Sequence, residues 1–416
     1  MPTVAYLSNC FPSPVEPYVA DEIRELRRQW VHVIPCSALR PASTQQACEQ
    51  QAWRSETVYL QPLRPGLTIR AAWYGIRHFR QFADLADRMI VKGTESPFRR
   101  LRCLMHTWLG IYYALLLMEH GVDHIHVHHG YFSAWIAMVA ARVLGIGYSM
   151  TLHGSDLLLN HSYLDIKLKY CRFCMTVSEF NRDYILEHYP AVEPDKIWVQ
   201  RMGVDPPAMR NAGEQEDTPK YPLLLSVGRL HPVKDHAFLI RACKRLKDSG
   251  RRTLCLIAGE GPERKRLQRL IRHLGLEEDV GLLGHVPHEQ MAAHYAMADL
   301  VVLSSRSEGV PLVLMEAMAM GKIVLAPRIT GIPELVIHGR TGFLYEAGSL
   351  DDFVRNVHMI RELRSGLEPI RRGAQKHVRE RFNRDSNLQA FAERFLTAIG
   401  ARGERRVHED SVLQQI

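Results

Sequence analysis

Leu300-Val301-Val302-Leu303-Ser304-Ser305-Arg306-Ser307-Glu308-Gly309-Val310-Pro311-Leu312-Val313-Leu314-Met315-Glu316-Ala317-Met318-Ala319-Met320-Gly321 is the stretch that decides how this chain folds. Leu300 to Ser304 reads as a buried parallel strand, being an unbroken apolar run that ends at small polar residues. The run after Pro311 reads as a helix closed by Gly321. Pro311 suits a first-turn position, where no N–H donor is needed. Glu308 then lies on the strand-to-helix loop, and Glu316 lies more than one turn into the helix. A helix N-terminus at the carboxyl end of a parallel strand attracts anions through its free N–H groups and its dipole. Two carboxylates beside such a site suit a ligand with both phosphates and sugar hydroxyls, because the hydroxyls donate to the carboxylates.

The run resembles the E-x7-E signature of retaining glycosyltransferases of family 4. It continues as Pro327-Arg328-Ile329-Thr330-Gly331-Ile332-Pro333-Glu334-Leu335-Val336 and Gly339-Arg340-Thr341-Gly342-Phe343-Leu344, which is similar to the same family. The resemblance implies the GT-B fold: α/β, two Rossmann-like domains with parallel sheets facing across a cleft. It implies that Glu316 binds ribose hydroxyls and Glu308 the donor-sugar hydroxyls, with Gly309, Val310, Pro311 and Leu312 also at the donor site.

Further strings carry chemistry. In Ser226-Val227-Gly228-Arg229-Leu230-His231-Pro232-Val233-Lys234-Asp235, Gly228 allows a close turn, and Arg229 and Lys234 put two cations on one loop region. Two fixed cations neutralise a diphosphate leaving group as its charge develops. The stretch resembles the family's G-R-x5-K motif. The family usually has Gly after this Lys; Asp235 stands here and is expected to shift or partly neutralise Lys234. Gly259-Glu260-Gly261-Pro262 resembles the G-x-G-P turn, open to reading as a plain tight turn or a ligand contact. At Gly284-His285-Val286-Pro287, the resemblance implies that backbone near Val286 meets the nucleobase edge. Thr151-Leu152-His153-Gly154-Ser155-Asp156 resembles the H-G-x-D stretch, which implies that His153 faces the donor sugar across the cleft. Met202-Gly203-Val204-Asp205 is similar to the N-G-V-D turn that ends the first domain, with Met replacing Asn. The loop from Asn9 to Val19 lacks the paired glycines of many members. It resembles a branch with F-P-x-x-x-E-T-[FY], tied to exopolysaccharide assembly, with Pro17 replacing the Thr.

Bulk properties fit this reading. The 416 residues allow two or three domains, and 46% apolar with 24% charged content is ordinary for a globular chain. The N-terminus enters an apparent strand, Thr3 to Leu7, with no secretory signal evident, so a cytoplasmic location is expected. The longest apolar candidate, Leu109 to Met118, is short of the ~20 residues needed to span a bilayer. Eight scattered cysteines point to a reducing compartment. Cys171 and Cys174 form a lone C-x-x-C, read as core packing rather than a redox or zinc site. His124, His126, His128 and His129 cluster among 21 histidines. The first three alternate along an apparent strand with no acidic co-ligand at a recognisable spacing, so no metal site is expected.

The chain divides by pattern into residues 1–205, an acceptor-side Rossmann-like domain, and 222–385, a nucleotide-sugar domain. Polar residues 206–221 read as a linker, 386–403 as a helix returning to the first domain by resemblance, and 404–416 as a tail. From Arg64 to Arg102 nine Lys/Arg face three Asp/Glu, a net +6 of the formal +8. Trp73, Tyr74, Phe79, Phe82 and Phe98 interleave with them. That segment reads either as an anionic-membrane surface or as a solvated helix with a packed face.

The expected function is transfer of a sugar, with retention, from a UDP- or GDP-sugar to a saccharide or lipid-linked saccharide. Glu308, His153, Arg229 and Lys234 would carry the chemistry. No metal or other cofactor and no nucleic-acid partner is expected, and the enzyme would sit peripherally on the inner face of the membrane. The alternatives are a nucleotide-sugar 2-epimerase on the same fold and a non-catalytic partner subunit.

Overall fold

The computed structural model describes residues 1–13, 16–41, 48–205 and 222–400. The linker expected at 206–221 and the tail at 404–416 lie outside the described residues.

Seven strands form the first sheet: β1 (Thr3–Cys10), β2 (His32–Leu39), β3 (Val58–Tyr59), β4 (His124–His128), β5 (Gly147–Leu152), β6 (Cys174–Thr176) and β7 (Ile197–Val199). Their order is β3-β2-β1-β4-β5-β6-β7, all parallel. Residues along β1 alternate between two cores, as a strand covered on both faces requires. Ala5 and Leu7 join a core with the helices Pro97–Leu117 and Phe132–Leu144. Val4 and Tyr6 face the helix Pro17–Arg28 and the last helix, through Phe391 and Phe395.

The second sheet has six strands: β8 (Leu223–Val227), β9 (Leu254–Ala258), β10 (Val280–Gly284), β11 (Leu300–Val302), β12 (Ile323–Pro327) and β13 (Phe343–Tyr345). Its order is β10-β9-β8-β11-β12-β13, again all parallel. Leu300, Val302, Ile323 and Leu325 enter one core, and Val301, Val324 and Ala326 the other. In each sheet the order reverses beside the first strand of its unit. The carboxyl ends of β1 and β4, and of β8 and β11, are therefore the switch points at which doubly wound sheets bind ligands.

Several expected boundaries move. The strand at Leu300 stops at Val302, and Pro311 is the cap before the helix Leu312–Ala319 rather than within its first turn. Gly321, at φ +71°, does end that helix. The two units interleave instead of meeting at Asp205: Val177–Asn181 and the chain from Arg201 to Asn387 belong to the second, and residues from Leu388 to the first. Val204 is held in the second unit because its N–H donates to the Phe382 carbonyl, 3.0 Å. The last helix runs Arg384–Ala398. The apolar helix expected over Leu109 to Met118 begins at Pro97. The stretch Pro97–His120 is long and apolar enough to cross a membrane by length and composition, and Gly110 to Leu117 of it are buried in the first unit. Cys171 and Cys174 are buried unpaired thiols, each against a backbone carbonyl, as the core reading expects.

Candidate active site

In the second unit the loops after β8 and β11 meet at the switch point. The β8 loop is braced from beneath by the turn after β9. Gly228 N–H donates to Ala258 O (2.9 Å), Leu230 N–H to Glu260 O (2.9 Å) and Glu263 N–H to Leu230 O (3.0 Å). A Cβ on Gly259 would lie 1.9 Å from Gly228 O, and one on Gly261 2.4 Å from Leu230 O. These glycines are therefore required by backbone contact with the Arg229 loop, whatever binds above it.

The two cations of that loop differ. Lys234 Nζ lies 2.5 Å from Glu308 Oε1, and Ser305 Oγ donates to the same oxygen at 2.5 Å. Ser304 Oγ donates to Lys234 O at 2.9 Å, tying the β11 loop to the β8 loop. Arg229 is exposed and has no ion pair among the described residues. A phosphate arriving here meets an uncommitted guanidinium and an ammonium already paired with a carboxylate. Thr330 Oγ1 donates to Glu308 O (2.5 Å), which fixes the backbone of the Glu308 turn.

Asp235 does not neutralise Lys234, contrary to expectation. It takes φ +43°, the left-handed conformation in which a glycine would be at ease. Its carboxylate accepts from Phe238 N–H (3.3 Å) as the cap of the helix His236–Asp248 and pairs with Arg306 Nε at 2.7 Å. Charge and backbone strain at this position are thus both answered locally, away from the Lys234 ammonium.

Glu316 sits in the helix after the β11 loop, 9% exposed. Tyr295 Oη donates to its Oε2 at 2.7 Å, and His288 Nδ1 is 3.8 Å from Oε1. Burial raises its carboxyl above the usual range, opposed by the Tyr295 hydrogen bond and His288. Val286 and Leu312 are half-buried against the same core, and Gly309 to Leu312 run from the Glu308 turn into the helix.

The first unit carries a second polar cluster at its own switch point. Glu22 accepts from Tyr6 Oη, and His128 Nε2 lies 3.0 Å from Glu22 Oε2 and 3.2 Å from Tyr6 Oη. His128 Nδ1 lies 3.0 Å from His153 Nε2. His126 bridges Ser149 Oγ (2.8 Å) and Thr151 Oγ1 (3.1 Å). Glu22, His126 and His128 bring ligand atoms within 4.8 Å of one another, spacing a metal ion would accept. Every ring nitrogen of His126 and His128 already has a hydrogen-bond partner, however, so an ion would have to displace those bonds.

Beside it, His129 Nε2 lies 3.0 Å from Glu16 Oε1 and its Nδ1 3.5 Å from Asp156 Oδ2. Burial would lower this imidazole, but the two carboxylates raise it to about 9. Burial would raise Asp156, but His129 and the N–H of Gly130 hold it far below the carboxylate range. Asp156 also accepts from the N–H groups of His153 (3.0 Å) and Gly154 (2.9 Å), so it builds the loop that presents His153. His153 itself is held neutral, its ionisation pushed well below the ordinary value by burial and by His129 and His128.

Comparison with known proteins supplies the rest. A model of "Glycosyltransferase Family 4" matches residues 15–207, and one of "Glycosyl transferases group 1" matches 210–377. The chain belongs to glycosyltransferase family 4. It is 35% identical over 207 residues to the putative colanic acid biosynthesis glycosyltransferase WcaL of Salmonella typhimurium, 46% of this chain and 49% of that one. It is 29% identical over 282 residues to the amylovoran biosynthesis glycosyltransferase AmsK of Erwinia amylovora, 64% and 68%. The chain spans about half the length of the first curated relatives it matches. The crystal structure of Anabaena HepE in complex with UDP-glucose superposes with a TM-score of 0.70 at 19% identity, covering 95% of this chain and 99% of that one. That likeness, with the two parallel sheets, shows the GT-B fold.

For this family 4 member, the second-unit residues expected from sequence come together: Arg229, Lys234 and Glu308 on adjoining loops, and Glu316 on the helix that follows. His153 lies in the first unit. Sequence reading missed Glu16, Glu22, His128, His129 and Tyr295 as site-building residues. Glu16 stands in the F-P-x-x-x-E string, but no local spacing joins it or Glu22 to histidines more than 100 positions away.

Proposed function

We propose that this chain transfers a sugar from a UDP- or GDP-sugar to a saccharide or lipid-linked saccharide, retaining the anomeric configuration, in cell-surface polysaccharide or glycolipid synthesis. The observation that carries this reading is the second-unit switch point. One exposed cation and one paired cation follow β8, a carboxylate follows β11, and a second carboxylate lies in the helix that follows it. The diphosphate would meet Arg229, Lys234 and the N–H groups of Gly309, Val310 and Leu312. As the leaving phosphate gathers charge, Lys234 would be drawn from Glu308 toward it, freeing Glu308 for the donor-sugar hydroxyls. Glu316, oriented by Tyr295, would take the ribose hydroxyls, and backbone near Val286 the base. A front-side substitution, with the leaving phosphate taking the acceptor proton, needs positioning and charge stabilisation rather than a protein nucleophile. The protein cations would do this work without a metal. Calorimetry with UDP- and GDP-sugars tests the donor site: Glu316→Ala should weaken binding about tenfold or more, as loss of a charge-assisted hydrogen bond costs roughly 1.5–3 kcal/mol. Unchanged affinity would remove Glu316 from the site.

The proposal extends to a place on the cytoplasmic leaflet. The helix Pro65–Arg77 exposes Ile69, Trp73 and Ile76 along one face, and the helix Pro97–Leu117 exposes Phe98, Leu101 and Met105 along one of its own. Phe79 and Val91 are exposed between them. Arg70, Arg77, Arg80 and Arg99 have no ion pair among the described residues, and Arg102 lies over Phe98. Outward apolar stripes set among unpaired guanidinium groups suit an anionic bilayer, which offers both hydrocarbon and negative charge. This supports a lipid-linked acceptor.

A further inference from the structure

The first-unit cluster has a direction built into it. Glu22 projects from the helix Pro17–Arg28 toward β1 and β4, where Tyr6 and His128 are fully buried. As a carboxylate it only accepts, and it accepts from the Tyr6 hydroxyl. His128 Nε2 lies 3.0 Å from Glu22 Oε2 and 3.2 Å from Tyr6 Oη, so with the Tyr6 proton already directed to Glu22 both neighbours are acceptors for a proton on Nε2. A neutral His128 has one ring proton. With that proton on Nε2 facing Glu22, Nδ1 keeps its lone pair. The 3.0 Å contact between His128 Nδ1 and His153 Nε2 then takes its proton from His153. His153 is left with a bare Nδ1, which has no hydrogen-bond partner among the described residues. Its ring is packed between Tyr18 (centroids 4.7 Å) and His129 (4.5 Å), which limits flipping that would exchange the two nitrogens.

We infer that Glu22, acting through His128, is a positioning residue that fixes His153 with its proton on Nε2 and presents Nδ1 as a hydrogen-bond acceptor for a saccharide hydroxyl. The saccharide half of this statement rests on the transferase reading above; the tautomer does not. Three features make it more than ordinary packing. The chain of contacts starts at a group that only accepts, so its polarity is set at one end. It crosses three elements, so no single turn or cap requires it. It stops at the half-buried His153, whose other nitrogen remains unused. A neutral acceptor at this place would select a ligand that donates a hydroxyl and would reject one that offers an ether oxygen or a carbonyl there.

The direct test is nitrogen NMR of the full-length protein carrying ring-labelled histidine, at pH 8. The His153 signals are assigned by their loss in His153→Gln. Wild type should show a protonated Nε2 and a bare Nδ1 as one tautomer. Glu22→Gln keeps the shape but adds an amide that donates to His128 Nε2, so it should reverse or mix the His153 tautomer. His128→Gln should mix it too. A proton on Nδ1 in wild type, or a tautomer unmoved in both variants, overturns the inference; the wild-type spectrum decides even where a variant fails to fold. Titration with UDP-glucose and GDP-mannose, with binding followed in parallel by calorimetry, tests the second half. A response at His153 Nδ1 supports it. Calorimetric binding that leaves Nδ1 unmoved overturns the saccharide contact, while absence of any binding counts against the donor reading and leaves the tautomer result standing.

Discussion

At the scale of single residues, Arg229 and Lys234 divide one task unequally. Lys234 is committed to Glu308, and Arg229 is not. A cation that meets charge only as it develops contributes to the transition state more than to the ground state. Lys234→Ala should therefore cut kcat more than it raises KM. A variant with full kcat and a raised KM would show uniform binding instead. Both cations were legible in the sequence because one short loop holds them, as were Glu308 and Glu316. Asp235 was misread for a related reason. Sequence shows that it follows Lys234, not that a backbone at φ +43° turns its carboxylate toward Phe238 N–H and Arg306. Glu22, His128 and His153 were invisible as a group, because parallel pairing of β1, β4 and β5 brings them together, not their spacing.

At the scale of elements, the helices of residues 65–105 carry a prediction that structure sharpens. Arg100 is one of the nine cations of the basic segment, yet its guanidinium donates to the carbonyls of Glu95, Ile90 and Gly93 and so shapes the turn before its helix. It is a poor probe of lipid binding. Arg77, Arg80, Arg99 and Arg102 are better, each adding about 1 kcal/mol near an anionic surface. The wild type should co-sediment with vesicles containing anionic lipid, but not with neutral ones, and salt should release it. Changing those four to Gln should reduce sedimentation while leaving nucleotide-sugar affinity intact. Equal sedimentation of variant and wild type would return this segment to a solvated helical surface. Net charge was readable from composition. The outward turn of Trp73 and Ile76 was not, because helical periodicity gives an apolar face without saying whether it points in or out.

At the scale of the whole molecule, buried charge makes stability depend on pH in a defined direction. His129 is raised from 6.5 to about 9 by Asp156 and Glu16 against the effect of burial. Its folded value exceeds its unfolded one, so its contribution is complete below about pH 6.5 and lost as pH rises through about 9. Burial lowers Lys167 to about 8, which acts in the opposite sense at higher pH. Comparing variant with wild type isolates the histidine. His129→Gln should lower the melting temperature most near pH 6, by an amount corresponding to on the order of 3 kcal/mol, and least near pH 9.5. A gap that does not change with pH would mean that His129 is not held charged by its two carboxylates. The central claim is that this family 4 protein moves a sugar to an acceptor, and one measurement addresses it most directly. The protein is incubated with sugar-labelled UDP- and GDP-sugars in EDTA, with and without a lipid extract from a polysaccharide-producing bacterium. The account predicts label passing to the extract, only when extract is present, in a linkage that keeps the donor's anomeric configuration. Label that stays in the nucleotide pool as a changed sugar, or no turnover of any donor until a divalent metal is restored, would contradict it.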